Sequence, residues 1–107
     1  MRQVGIIGIG HTKFGKTEKG FLELLGEAAL LCFEDAQITP GPEAGIDQVF
    51  VASMGGGMVN HISGSASALA DSLHLCPAMD ECVENGPASG ASAVKLGYMA
   101  IASGMCD

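Results

Sequence analysis

Three short apolar runs each lead into a longer segment with helical spacing, and that alternation constrains the chain more than any other feature. Val4–Ile9 is β-branched and bounded by glycines, so it reads as a buried strand. After the polar loop "GHTKFGKTEKG", Phe21, Leu24, Leu25, Ala28 and Cys32 recur at three- or four-residue intervals. Glu23, Glu27 and Glu34 fall elsewhere, which predicts an amphipathic helix over Phe21–Ala36. "TPGPEAG" punctuates the chain with a turn. A second strand starts near Ile46 with its core at Val49–Ala52 and ends at the glycines Gly55–Gly57. His61–Leu75 reads as the next helix, Met79–Val83 as a third strand and Pro87–Ser103 as the last helix. Strand–helix alternation of this kind implies an α/β layer architecture, a parallel βαβαβα unit with right-handed crossovers. Lys95 is the only charge in the last helix, which predicts burial of most of its faces.

Composition narrows the function classes. The chain has 107 residues, 48% of them hydrophobic and 16% charged, which fits one packed domain and not a disordered segment. Twelve carboxylates against five Lys and Arg give a net charge of -7. There is no tryptophan and no basic stripe, so nucleic-acid binding is not expected. The opening "MRQVGIIGIG" lacks the length of a secretory signal, and no apolar run approaches the roughly 20 residues of a membrane helix. A cytoplasmic location is the expectation. Cys32, Cys76, Cys82 and Cys106 contain no CxxC pair and read as reduced thiols. His11, His61 and His74 are scattered, so no metal site is expected.

Two motifs invite chemistry. "GHTKFGKT", Gly10–Thr17, formally matches the phosphate-loop pattern GxxxxGK[ST]. In a phosphate loop the Lys and Thr open a helix at once; here "EKG" intervenes before the apolar face begins. His11 and His61 are available as acid/base groups, although local hydrogen bonding is the commoner role of a loop histidine. Cys32, Cys76 and Cys106 read as core filling, while Cys82 stands close to the second motif.

That second motif is "VENGPASG", Val83–Gly90, where the third strand hands over to the last helix. With its continuation "ASAVKLGYMAIASGMCD" it resembles the thiolase superfamily, in the branch of sterol-carrier-type and archaeal acetyl-CoA acetyltransferase-like thiolases. The nucleophile turn of that branch reads close to VEAxCASG, before an Ala-rich helix ending in IASG. "VGIIGIGHTKFGK" and "ALADSLHL" resemble the same branch, and "GHTKFGK" thereby has a place without a phosphate loop. The resemblance covers nearly the whole chain and only the N-terminal part of the family fold. It implies that residues 1–107 are an incomplete part of a thiolase-like domain, acting in acyl-CoA and lipid metabolism.

Residue by residue, Val83, Glu84, Ala88, Ser89 and Gly90 match the turn, and Pro87 falls on the family's nucleophilic cysteine. Proline has neither a thiol nor an N–H to help hold an oxyanion. It does suit the start of a helix, with Gly86 relaxing the constraint on the preceding residue and Asn85 offering a cap. The resemblance implies acyl-CoA contact by Asn85, Gly86, Ser89 and Gly90, with coenzyme A present only as part of the substrate and no separate cofactor. Three readings stay open. One is retro-aldolase-like C–C bond cleavage or formation without a cysteine adduct. Another is a thiolase acyltransferase using a displaced cysteine, for which Cys82 is the local candidate. The last is a non-catalytic subunit that binds acyl-CoA or supports a partner. A homo-oligomer, the remainder of a longer chain, or a small OB-fold, zinc-ribbon partner is expected to cover the last helix.

Overall fold

The computed structural model describes all 107 residues. Helix α1 spans Phe21–Ala36, strand β1 Gln48–Ala52, the single turn α2 Gly56–Val59, helix α3 Ser65–Ser72, strand β2 Met79–Val83 and helix α4 Ser89–Ala102. The two strands pair in parallel, with Gln48 opposite Met79 and Ala52 opposite Val83. The ladder continues at both ends through Met79 N–H to the Asp47 carbonyl (2.9 Å) and Ser53 N–H to the Val83 carbonyl (3.2 Å). A parallel pair needs a crossover, and α2 and α3 supply it. Helices α1 and α3 pack together, α3 lies on both strands, and α4 packs on the sheet without comparable contact to either of them. The sheet therefore separates two helix layers, as an α/β chain with a fully apolar strand such as "VFVA" requires.

The predicted α1, β1 and β2 stand where their periodicity puts them. α1 ends because Gln37 turns left-handed (φ 58°), and the N–H groups of Gln37 and Ile38 close on the Glu34 and Phe33 carbonyls. The core is small. Ala70, Leu73 and Leu75 form its centre, with Phe33, Ile46, Val49 and Leu69 packed around them.

Three expectations are corrected. Val4–Ile9 forms no strand, so the sheet has two strands and a full βαβαβα unit is not formed. Ile6, Ile7 and Ile9 are 79%, 73% and 74% exposed. The segment lies along α1 instead: Ile9 N–H donates to the Asp35 carboxylate at 2.9 Å. A Cβ at Gly10 would collide with the Ala28 carbonyl and the backbone of Cys32. Only a glycine permits that approach. The predicted helix His61–Leu75 is shorter at both ends, because His61 and His74 each take φ 53° and so leave the helical region. Finally, α4 is not buried on most faces: Val94, Tyr98 and Met99 are 65%, 47% and 54% exposed.

Replacing Gly10 with Ala forces the N-terminal segment away from α1. The expected loss is about 1–3 kcal/mol in unfolding free energy, read by thermal or urea melts, whereas Gly5→Ala, which meets nothing within 4 Å, leaves the midpoint nearly unchanged.

Candidate functional site

The register of β2 aims its C-terminal end at the starts of two helices. Cys82 and Val83 close the strand, and Glu84–Ala88 form the turn that enters α4 at Ser89. Gly86 takes φ 54°, a left-handed conformation that a side chain would resist. The turn is held from within by Ser89, which is buried. Its hydroxyl donates to the Gly86 carbonyl at 2.6 Å and accepts the Asn85 N–H at 2.8 Å. Gly86 N–H donates to the Glu84 carboxylate at 3.2 Å, while Ala88 and Ser89 N–H close on the Asn85 and Gly86 carbonyls.

Proline and asparagine sit differently from their sequence-based assignments. Pro87 is exposed and lies in the turn, two residues before the first helical residue, with Ala88 as the helix cap. The Asn85 side chain caps no helix N–H; its amide donates to the Ser92 hydroxyl at 2.9 Å. Ser89 spends its hydroxyl inside the turn. The N–H groups of Gly90 and Ala91 are the ones left without an acceptor in the chain, as expected of a helix's first turn.

Cys82 faces the other helix start. Its Sγ lies 3.4 Å from the Ser65 hydroxyl and 3.4 Å from the Ala66 N–H, at the N-terminus of α3. The Ser65 hydroxyl bond is the larger cause, with the Ala66 N–H second, of a thiol pKa lowered below its ordinary value; partial burial opposes them. The helix supplying these donors is α3, not the last helix. A cavity of about 450 Å³ opens here, lined by Cys82, Val83 and Glu84 on one side and by Gly55–Gly57 and Gly64–Ser65 on the other. Cys82 and Glu84 thus share a pocket, and Asn85 through Gly90 do not line it.

Sequence reasoning missed Ser65 and the Gly55–Gly57 wall. "GGG" carried the signal as a place where backbone comes close to something else, and "SGS" before an apolar run as a helix start. The other candidates disperse. His11 stacks edge-on against Phe14 at 4.7 Å, and His61 sits in the exposed α2–α3 loop. Cys76 is exposed instead of filling the core. Gly10–Thr17 does not form a phosphate loop, since α1 begins four residues beyond Thr17 and the intervening backbone is irregular.

Over its full length the chain aligns with acetyl-CoA acetyltransferases of two archaea. It is 36% identical to that of Methanothermobacter thermautotrophicus and 37% identical to that of Methanocaldococcus jannaschii. The chain is similar to these acetyltransferases along its whole length. It spans 27% of the length of each of these relatives. No family model matches it. The layered parallel α/β arrangement is compatible with part of a thiolase-like domain, and no helix is long and apolar enough to cross a membrane.

Alkylation of Cys82 by iodoacetamide, followed across pH by peptide mass spectrometry, is expected to show a midpoint below that of an ordinary thiol. Ser65→Ala removes the main thiolate donor and moves the midpoint up; an unmoved midpoint would show that the hydroxyl does not set the thiol's acidity. Ser89→Ala leaves the Asn85 N–H without its buried acceptor and is expected to cost about 1–3 kcal/mol of stability.

Proposed function

We propose that this thiolase-like chain handles acyl-CoA thioesters and belongs to a site that makes or breaks a C–C bond with no covalent adduct at Pro87. The observation that carries this reading is Pro87 itself, which stands at the strand-to-helix turn with neither a thiol nor an N–H. Ordinary acyl transfer through a cysteine at that position has no nucleophile here. A retro-aldol cleavage needs none. A base takes the proton of a β-hydroxyl, the Cα–Cβ bond breaks, and the oxygen becomes an aldehyde or ketone carbonyl. The electron pair leaves on the thioester as an enolate, which is then protonated at Cα. Glu84, the carboxylate lining the cavity, is the chain's own candidate for the base. Similarity to the acetyl-CoA acetyltransferases supports acyl-CoA as the ligand; the reading takes coenzyme A as part of the substrate and invokes no further cofactor.

A second reading, acyl transfer through Cys82, is favoured by the contacts of that thiol with Ser65 and Ala66 at a cavity wall. A third, a non-catalytic acyl-CoA-binding or partner-supporting subunit, draws on the exposed outer face of α4. A small OB-fold, zinc-ribbon protein or further chain of the same fold is the partner that reading requires.

Incubation with acetyl-CoA followed by peptide mass mapping separates these. The first reading expects no acyl mass on any peptide, release of a carbonyl product from a β-hydroxyacyl-CoA, and loss of about 100-fold or more in that rate in Glu84→Gln. An acetyl group on the Cys82 peptide supports the second reading against the first. An acyl mass on Asn85–Gly90 contradicts all three. Saturable acyl-CoA binding with no turnover leaves the third. Pro87→Cys is expected to acquire an acetyl group at the turn, which the native chain does not.

A further inference from the structure

We infer that Asn85–Gly86, inside the turn that carries Pro87, is a self-modifying site. The Gly86 nitrogen closes on the Asn85 side chain with Glu84 as the base, and the asparagine becomes isoaspartate or aspartate. This chemistry is independent of what the turn does with a thioester. Asparagine is among the heat-labile side chains, and the residue after it decides how readily it reacts. The chain has two asparagines, Asn60 and Asn85. Asn60 is followed by His61, whose Cβ crowds the main-chain nitrogen that would have to attack. Asn85 is followed by a glycine, so only hydrogen flanks that nitrogen.

The folded turn adds the groups that such a reaction needs. Gly86 N–H donates to the Glu84 carboxylate at 3.2 Å, so a proton acceptor already sits on the nitrogen that must lose its proton. The Asn85 side-chain nitrogen, which must leave, donates to the Ser92 hydroxyl at 2.9 Å. That hydroxyl has no acceptor for its own proton in the chain, so the proton is free to pass to the departing amine. Glu84 and Asn85 are both exposed, and water reaches them. Ser89, the other hydroxyl of the turn, is committed to the Asn85 N–H and the Gly86 carbonyl and takes no part.

The step balances with water as the only co-reactant. Glu84 takes the Gly86 proton, and the electron pair of that nitrogen forms a bond to the Asn85 side-chain carbonyl carbon. The bond from that carbon to the side-chain amine breaks. The amine leaves as ammonia, and the proton it gains through Ser92 and solvent matches the one Glu84 removed. A succinimide ring now joins residues 85 and 86. Water opens it at the side-chain carbonyl to give aspartate, or at the main-chain carbonyl to give isoaspartate. Either product adds a negative charge to a chain already at -7. Isoaspartate also routes the main chain through the former side chain and lengthens it by a methylene. That displaces the Asn85 carbonyl from the Ala88 N–H and the Asn85 N–H from Ser89, so the turn into α4 loses its closing bonds.

Timed incubation of the purified chain at neutral and mildly alkaline pH tests this, read by peptide mass mapping and by enzymatic methylation of isoaspartate. The expected result is isoaspartate with some aspartate at residue 85, while Asn60 stays intact. Glu84→Gln keeps a hydrogen-bonding side chain without the base, and is expected to slow the conversion roughly 10-fold. In concentrated urea the turn no longer holds Glu84 against the Gly86 N–H, and the native and Glu84→Gln chains are expected to convert at the same rate. If Glu84→Gln loses its far-UV circular dichroism, Ser92→Ala gives the same comparison from the leaving-group side and is expected to slow the folded chain only. No isoaspartate at residue 85, or conversion of Asn60 as fast as Asn85, overturns the inference. So does a folded Glu84→Gln chain that converts as fast as the native one, or a difference between them that persists in urea.

Discussion

The parallel ladder between Gln48–Ala52 and Met79–Val83 decides where every candidate group lies. Its register puts Val83 opposite Ala52, so the chain leaves β2 level with the point where it leaves β1. The two exits carry different cargo. Beyond β1 come three glycines and the short crossover into α3; beyond β2 comes the proline turn into α4. Parallel strands have their C-terminal ends on one side, so both helix starts collect there with their unpaired N–H groups pointing back towards the strands. Moving the pairing by one residue would turn Cys82 away from Ser65 and Ala66 and take Glu84 from the cavity.

Two chemistries follow from this convergence, and they lie on separate helices. At α4 the turn is closed by Ser89, so its rigidity is self-supplied and does not depend on a reactive residue at position 87. Proline is tolerated there because the turn's closing bonds come from the N–H groups of residues 85, 86, 88 and 89. At α3 the donors reach a real thiol. A hydroxyl and a backbone N–H at a helix start lower the cost of negative charge on sulfur, the same physics that a nucleophile turn uses. The chain thus has a self-latched proline turn at one helix and thiolate-favouring contacts at the neighbouring one.

The outer face of α4 shows the limit of composition as a guide. A helix with one charge in fourteen residues reads as buried, and that inference assumes that something in the fold covers it. Two strands and three other helices do not extend that far. The same shortage explains Val4–Ile9. The β-branched run has strand propensity, but a strand exists only when an edge accepts its hydrogen bonds, and this segment packs Gly8 and Gly10 against α1 and makes no ladder bond to β1.

By itself the sequence determined α1, β1 and β2, because each depends on local periodicity and on turn residues at its ends. It also determined that position 87 has no nucleophile, since that is a matter of covalent chemistry, and the motif spelled out the turn that holds it. Only the tertiary structure decided that Cys82 belongs to α3, that Ser89 latches the turn, and that Ser65 and the Gly55–Gly57 wall share a cavity with Glu84. Those pairings join residues 17 to 29 positions apart, or reuse a hydroxyl in a way a motif does not record. They arise from strand register and helix packing, which no window of sequence contains.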